Sequence, residues 1–101
     1  MSKRHPQNDE ISMELGRRIR NARRRIGLSQ QRVADLAGLE RTTIGLIERG
    51  KRNMQTSTLL LICGAMEIDH YEIIGGIEFI AGPDPLPRSG TWSFRAPPPR
   101  G

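Results

Sequence analysis

Arg41, Thr42 and Thr43 stand in a row three residues after Gly38, in a chain of 101 residues. A guanidinium followed by two hydroxyls is a set of hydrogen-bonding groups, suited to recognition. At the leading end of a helix, such short polar or positively charged side chains can enter a groove and reach base edges. The surrounding stretch, Gly27 to Asn53, supplies that helix and its support. It reads as two short amphipathic helices joined by a glycine turn, the unit that inserts a helix into the DNA major groove.

Other chemistries lack their residues. His5 and His70 are far apart and Cys63 is the single cysteine, so an internal disulfide is excluded. Cys63 lies in an apolar run, where a thiol behaves as a small hydrophobe. No zinc-ligand spacing, glycine-rich phosphate loop or nucleophile motif is present. The expectation is a non-enzyme without metal or cofactor. No apolar stretch approaches the ~20 residues of a membrane span. The basic start, Met-Ser-Lys-Arg-His-Pro, has no apolar signal core behind it. The chain therefore reads as cytoplasmic, nucleoid-associated when on DNA, with no membrane partner.

Charge supports the nucleic-acid reading through its distribution. The net charge is +5, but residues 1–52 hold thirteen Lys and Arg against six acids, whereas residues 53–101 hold three Arg against five acids. A basic front half suits a polyanion, and a mildly acidic back half suits a different partner. Solubility alone is the plainer explanation of such a surface.

The elements that must position Arg41 can be traced from apolar spacing. Residues 1–8 are polar and read as a flexible arm. Ile11, Leu15, Ile19, Ala22 and Ile26 draw one helical stripe, with Arg17, Arg18, Arg20, Arg24 and Arg25 on the other faces. Gly27 ends that helix. Ser29 caps a second helix, whose buried face is Val33, Leu36 and Ala37, and Gly38 closes it. Ile44 and Ile47 mark the inner face of a third helix beginning near Glu40. Leu59, Ile62, Cys63 and Met66 mark a fourth. Asp69 and Glu72 have the spacing of a capping box for a short fifth helix, about His70 to Ile74, stopped by Gly75 and Gly76. Beyond Phe79 the prolines cannot sustain a helix. Within that tail, Thr91 to Phe94 could form one short strand, with Trp92 and Phe94 on the same side.

From Leu28 to Asn53 the chain resembles the lambda-repressor and Cro type of helix-turn-helix domain, the XRE family. The residues that carry the likeness include Leu28, Ser29, Gln30, Val33, Ala34, Ala37, Gly38, Leu39 and the run Ile47-Glu48-Arg49-Gly50-Lys51-Arg52-Asn53. A looser likeness extends from about Leu15 to Ile74. Small Ala34 allows the two helices to cross closely. The chain departs from the family after Asn53, where Met54-Gln55 replaces the common Pro-Ser; Thr56 or Ser57 is then expected to cap the fourth helix, starting it late.

The resemblance implies roles residue by residue. Arg41, Thr42, Thr43 and Leu46 occupy the base-reading positions. Arg41 can make a bidentate contact with guanine, worth roughly 1–3 kcal/mol of discrimination. Leu46 either touches a thymine methyl or packs against a neighbour. Gln30 corresponds to the phosphate-gripping glutamine, helped by the helix dipole. Arg49, Lys51, Arg52 and Asn53 would contact phosphates from the following loop. Arg20 and Arg24 would add to them or remain solvated charges. Arg23 and Glu48 correspond to a structural salt bridge between the first and third helices. Gly45 either permits close backbone approach to DNA or is tolerated on an exposed face.

The expected fold is all-α: a compact five-helix lambda-repressor-like DNA-binding domain over residues 9–76. The arm precedes it and a Pro/Gly-rich extension, 77–101, follows it as a dimerisation or partner-binding tail. The expected function is sequence-specific binding to double-stranded DNA by a prokaryotic or phage-type, repressor-like transcription regulator, as a homodimer on two half-sites. Ile74, Phe79, Trp92 and Phe94 are the dimerisation candidates, being apolar and outside the basic half. The alternatives are a restriction-modification controller, an antitoxin or adaptor whose tail binds another protein, and a nonspecific nucleic-acid binder.

Overall fold

The computed structural model describes residues 6–85 and 88–97. Among them the order is α1 (Pro6–Ile26), α2 (Gln30–Ala37), α3 (Arg41–Glu48), α4 (Thr56–Met66), α5 (Tyr71–Ile74), β1 (Ile77–Pro85) and β2 (Arg88–Phe94). Residues 1–5 of the expected arm, His5 included, lie outside the described residues. Pro6 opens α1 rather than belonging to the arm; a proline suits a first turn, where its missing N–H has no intrahelical partner.

The core draws on all five helices. Ile19, Val33, Ile44, Ile62 and Ile73 are fully buried, with Ala34, Ile47, Leu59, Cys63 and Met66 packed among them. Burial pushes the Cys63 thiol up to about 11, and the nearby negative charges of Asp69 and Glu72 add to it. Such a thiol stays protonated and unreactive.

Three expectations about faces need correction. Ile26 and Leu36, placed on buried stripes, are 40% and 48% exposed. Arg18, placed on an outer face of α1, is 7% exposed. Arg18 is three residues beyond Leu15 and four before Ala22, which sets it at the edge of the core stripe.

Caps and close approaches fix the helix order. Ser29 Oγ accepts from Arg32 N at 3.0 Å, and Gly38 closes α2 with φ 71°. The third helix follows after three residues, Gly38 to Glu40. α1 meets the end of α3 at backbone distance: a Cβ at Gly16 would overlap the Ile47 carbonyl oxygen and lie 2.9 Å from that of Glu48. Only glycine fits there. At α4, Thr56 is already the first helical residue; Gln55 occupies the cap position without a side-chain hydrogen bond, so neither Thr56 nor Ser57 delays the start. At α5, Asp69 Oδ1 accepts from Tyr71 N at 2.8 Å, and Glu72 pairs with Arg25 of α1 at 2.5 Å.

The all-α expectation is overturned by the C-terminal region. β1 and β2 pair antiparallel, with Ile77 opposite Phe94, Phe79 opposite Trp92 and Ala81 opposite Gly90. Cross-strand pairing sets Phe79 against Trp92, with ring centroids 5.2 Å apart and tilted by 53°. The prolines that rule out helix are tolerated here because both strands of a two-stranded sheet are edges. Alternation marks part of β2 in the sequence. It does not mark β1, because the alternating Ile77, Phe79 and Ala81 run directly into Gly82-Pro83-Asp84-Pro85, whose composition signals a turn.

Arg18 fastens this hairpin to the helices. Its Nη1 donates to the carbonyls of Ile73 (3.0 Å) and Gly75 (2.5 Å), and its Nη2 to that of Arg95 (2.6 Å). Its Nε donates to Glu14 Oε2 at 2.7 Å. One guanidinium thus joins α1, the end of α5 and the chain just past β2, supplying donors that a buried carbonyl would otherwise lack.

Candidate nucleic-acid interface

The leading end of α3 faces solvent while its rear is anchored. Arg41 and Thr42 are exposed and Thr43 and Leu46 half-buried, whereas Ile44 and Ile47 are buried in the core. The periodicity of the helix separates the two sets.

Behind this end runs a chain of polar contacts. Arg23 Nε and Nη2 donate to the Glu48 carboxylate at 2.6 and 2.9 Å. The fork-to-fork geometry is the strong form of the pair, and the Glu48 hydrogen bond holds the Arg23 guanidinium above its usual pKa. Arg23 Nη1 also donates to the Leu28 carbonyl at 2.9 Å. Gln30 Nε2 donates to Glu48 Oε1 at 3.1 Å, and Gln30 Oε1 accepts from Arg41 Nη1 at 3.0 Å. Only one orientation of the Gln30 amide serves both neighbours. A buried ion pair between α1 and α3 is therefore connected, through α2, to the exposed arginine at the front of α3.

Gly45 does not lie on the exposed face that one of its two sequence expectations gave it. It is buried, and a Cβ there would lie 3.7 Å from Arg49 Nη1 and 3.9 Å from Gln30 Oε1. The Arg49 and Gln30 side chains cover the helix at this point. Spacing suggests exposure because Gly45 lies off the stripe of Ile44 and Ile47; long side chains from neighbouring positions cover it instead.

The loop after α3 adds further groups. Arg52 Nη1 donates to Thr43 Oγ1 at 3.2 Å. Asn53 Oδ1 accepts from Ser12 Oγ at 2.5 Å, which ties the loop to α1. Arg49, Lys51, Arg52 and Asn53 are all exposed. The structure thus gathers Gln30 and Arg49 around Gly45, Arg41 on Gln30, and Thr43 with Arg52. Arg20 and Arg24 are exposed on α1 and enter none of these hydrogen bonds. Of the dimerisation candidates, Ile74 is 41% exposed, while Phe79, Trp92 and Phe94 are half-buried.

Among the described residues no group of His, Cys, Asp and Glu is arranged to hold a metal ion. No helix there is long and apolar enough to cross a membrane. Two crossed helices, a glycine turn, and a second helix presenting exposed polar groups over a basic rim define a DNA-binding module of the helix-turn-helix class.

Comparison with known proteins agrees. A family model described as a helix-turn-helix domain matches residues 14–72. The control protein C.SmaI of Serratia marcescens is 39% identical over 57 residues, covering 56% of this chain and 68% of that protein. The immunity repressor of Bacillus phage phi105 is 36% identical over 63 residues, which cover 62% of this chain but only 44% of the repressor. Among solved structures, the restriction-modification controller C.AhdI from Aeromonas hydrophila superposes with a TM-score of 0.61 at 36% identity, over 62% of this chain and 96% of that one. The chain belongs to the helix-turn-helix domain family, of the XRE type, a family of DNA-binding transcription regulators. The family match ends before β1, so the hairpin lies outside it.

Proposed function

We propose that this regulator represses transcription as a homodimer, reading two half-sites about 34–36 Å apart with one α3 in each major groove. Arg41, Thr42, Thr43 and Leu46 read base edges. Gln30, Arg49, Lys51, Arg52 and Asn53 grip phosphates and set the register, with Arg20 and Arg24 adding charge from α1. The observation that carries this reading is the exposure of Arg41 and Thr42 directly in front of the buried Ile44 and Ile47.

Selection of bound fragments from random duplex DNA tests it. The native chain should enrich one two-fold-related sequence, and Arg41→Ala should relax the preference at one base pair of each half-site. A variant that weakens binding equally on all sequences would instead describe a nonspecific binder. Salt dependence does not separate the two, because phosphate contacts dominate affinity in both.

A second reading is favoured by the likeness to C.SmaI and C.AhdI. In it the chain is the controller of a restriction-modification system. The selected operator should then occur upstream of a restriction endonuclease gene; an operator confined to unrelated promoters counts against it.

A further inference from the structure

The turn between Thr43 and Arg52 is built to bring these two side chains together. Gly50 stands at φ 70°. Its N–H donates to the Ile47 carbonyl at 3.0 Å, and that of Lys51 to the Leu46 carbonyl at 2.9 Å, the paired bonds of a helix that ends on a left-handed glycine. A Cβ at Gly50 would lie 2.7 Å from Met13 Cγ and 2.8 Å from Met13 Cα, so α1 backs the turn at close contact. Asn53 is tied to Ser12 of α1. The chain thus returns along α3, and Arg52 Nη1 donates to Thr43 Oγ1 at 3.2 Å. Among the described residues the Thr43 hydroxyl enters no other hydrogen bond.

We infer that Arg52 sets the polarity of the Thr43 hydroxyl, making Thr43 a donor that selects a keto oxygen of the operator over an amino group. The inference rests on the base-reading proposal above and names what Thr43 reads. A hydroxyl has one donor and two acceptor lone pairs, and it rotates to suit its partners. Here the guanidinium takes a lone pair, and its charge turns the hydroxyl proton to the far side. That proton needs an acceptor. In the major groove guanine O6 and thymine O4 accept, whereas the amino groups of adenine and cytosine donate. Guanine and adenine both carry the N7 acceptor, so selection between bases lies at the keto oxygens. Arg52 spends one of its five N–H groups on Thr43 and keeps others for a phosphate. It is a positioning residue that links the grip on the DNA backbone to the reading of a base. Thr42, exposed and outside this contact, keeps a hydroxyl of either polarity.

The test measures binding of the full chain and its variants to the duplex selected from random DNA and to single-base-pair variants of it, with circular dichroism to confirm folding. Thr43→Val keeps the shape of the side chain and removes the hydroxyl, so the base pair whose preference it relaxes is the one Thr43 reads. Exchanging G·C and A·T there turns the contacted keto oxygen into an amino group, and the native chain should lose about fivefold or more in affinity. Arg52→Ala should weaken binding to every duplex through the lost phosphate contact. It should also shrink that keto-to-amino ratio about twofold or more, while preference at the other base pairs stays as it was. Arg52→Lys should keep most of the ratio, because an ammonium also donates to the hydroxyl oxygen. In a Thr43→Val background the Arg52 changes should leave the ratio unmoved. An Arg52→Ala protein that weakens all duplexes equally and keeps the native ratio overturns the inference, as does a native preference for the amino group; either leaves Thr43 a base reader and Arg52 a phosphate contact. A native chain that enriches no sequence, or a Thr43→Val protein with every preference intact, overturns the base-reading proposal for Thr43 and this inference with it.

Discussion

Gln30 holds Arg41. The amide oxygen of the first residue of α2 accepts from the guanidinium of the first residue of α3 at 3.0 Å, while one N–H of the amide donates to Glu48 and its second N–H is left for a phosphate in the proposed reading. The family resemblance gives these residues separate tasks, one on phosphate and one on a base. Their contact makes them one unit, and in the proposed reading Gln30 pre-orients the arginine and reduces the side-chain freedom lost on binding.

Gln30→Ala should relax preference at the same base pair as Arg41→Ala, and the double variant should lose less than the sum of the two. Residues in one hydrogen-bond network commonly couple by about 0.5–3 kcal/mol. Binding of the four proteins to the selected operator and to its single-base variants measures this. Additive effects at different base pairs would mean that the contact plays no part in recognition.

Two helical glycines should respond in opposite directions. At Gly16 a methyl would strike the carbonyl oxygens of Ile47 and Glu48, and backbone cannot swing aside. Gly16→Ala should destabilise the fold by about 1–3 kcal/mol or more, as overpacking does. At Gly45 the nearest atoms are side-chain ends at ordinary contact distance. Gly45→Ala should stabilise α3 by up to about 1 kcal/mol through helix propensity. Urea unfolding of the two variants decides; a stabilised Gly16→Ala would contradict the close crossing of α1 and α3.

Arg18 should control the hairpin separately from the reading helices. Arg18→Ala leaves the carbonyls of Ile73, Gly75 and Arg95 without this donor, at about 1–3 kcal/mol for each group left unsatisfied. Amide exchange across β1 and β2 should accelerate strongly, with α2 and α3 protected longer. Lysine should rescue only in part, because an ammonium lacks the planar fork. Uniform loss of protection over the whole chain would argue against a hairpin held by this residue.

Stability should fall in acid through Glu14. The hydrogen bond from Arg17 holds its carboxyl below the usual 4.5, aided by the hydrogen bond from Arg18 and both positive charges, against burial. A carboxylate with a depressed folded pKa contributes stability above its unfolded pKa and loses it as the pH drops through the folded value. The native chain should therefore lose more stability between about pH 5 and pH 2 than Glu14→Gln. Salt should diminish part of the effect, since Arg17 is largely exposed. Parallel urea midpoints of the two proteins across that range would remove Glu14 from the acid response.

Much of the helical domain is legible in local patterns. Ser29, Gly38 and the stripes of Ile19, Val33, Ile44 and Ile62 act within one or two turns of chain, so spacing alone reveals them. The front of α3 is legible for the same reason: Arg41 and Thr42 fall away from Ile44 and Ile47 around one helix. The burial of Gly45 is not legible, because its cover comes from the long side chains of Gln30 and Arg49. Gly16 gives no local signal, because its neighbours in space lie on α3, far along the chain.

The amino-acid order by itself determined the helix-turn-helix and the polar end it presents, since turn chemistry and 3.6-residue periodicity are short-range effects. Tertiary structure alone decided that Arg18 is buried, that residues 77–85 and 88–94 pair antiparallel against α1, and that Ile26 and Leu36 join Leu60 and Leu61 in one open groove. Each of these depends on which segments distant in sequence meet: spacing sets Arg18 at the edge of the core stripe, but the carbonyls of Ile73, Gly75 and Arg95 that hold it come from far along the chain.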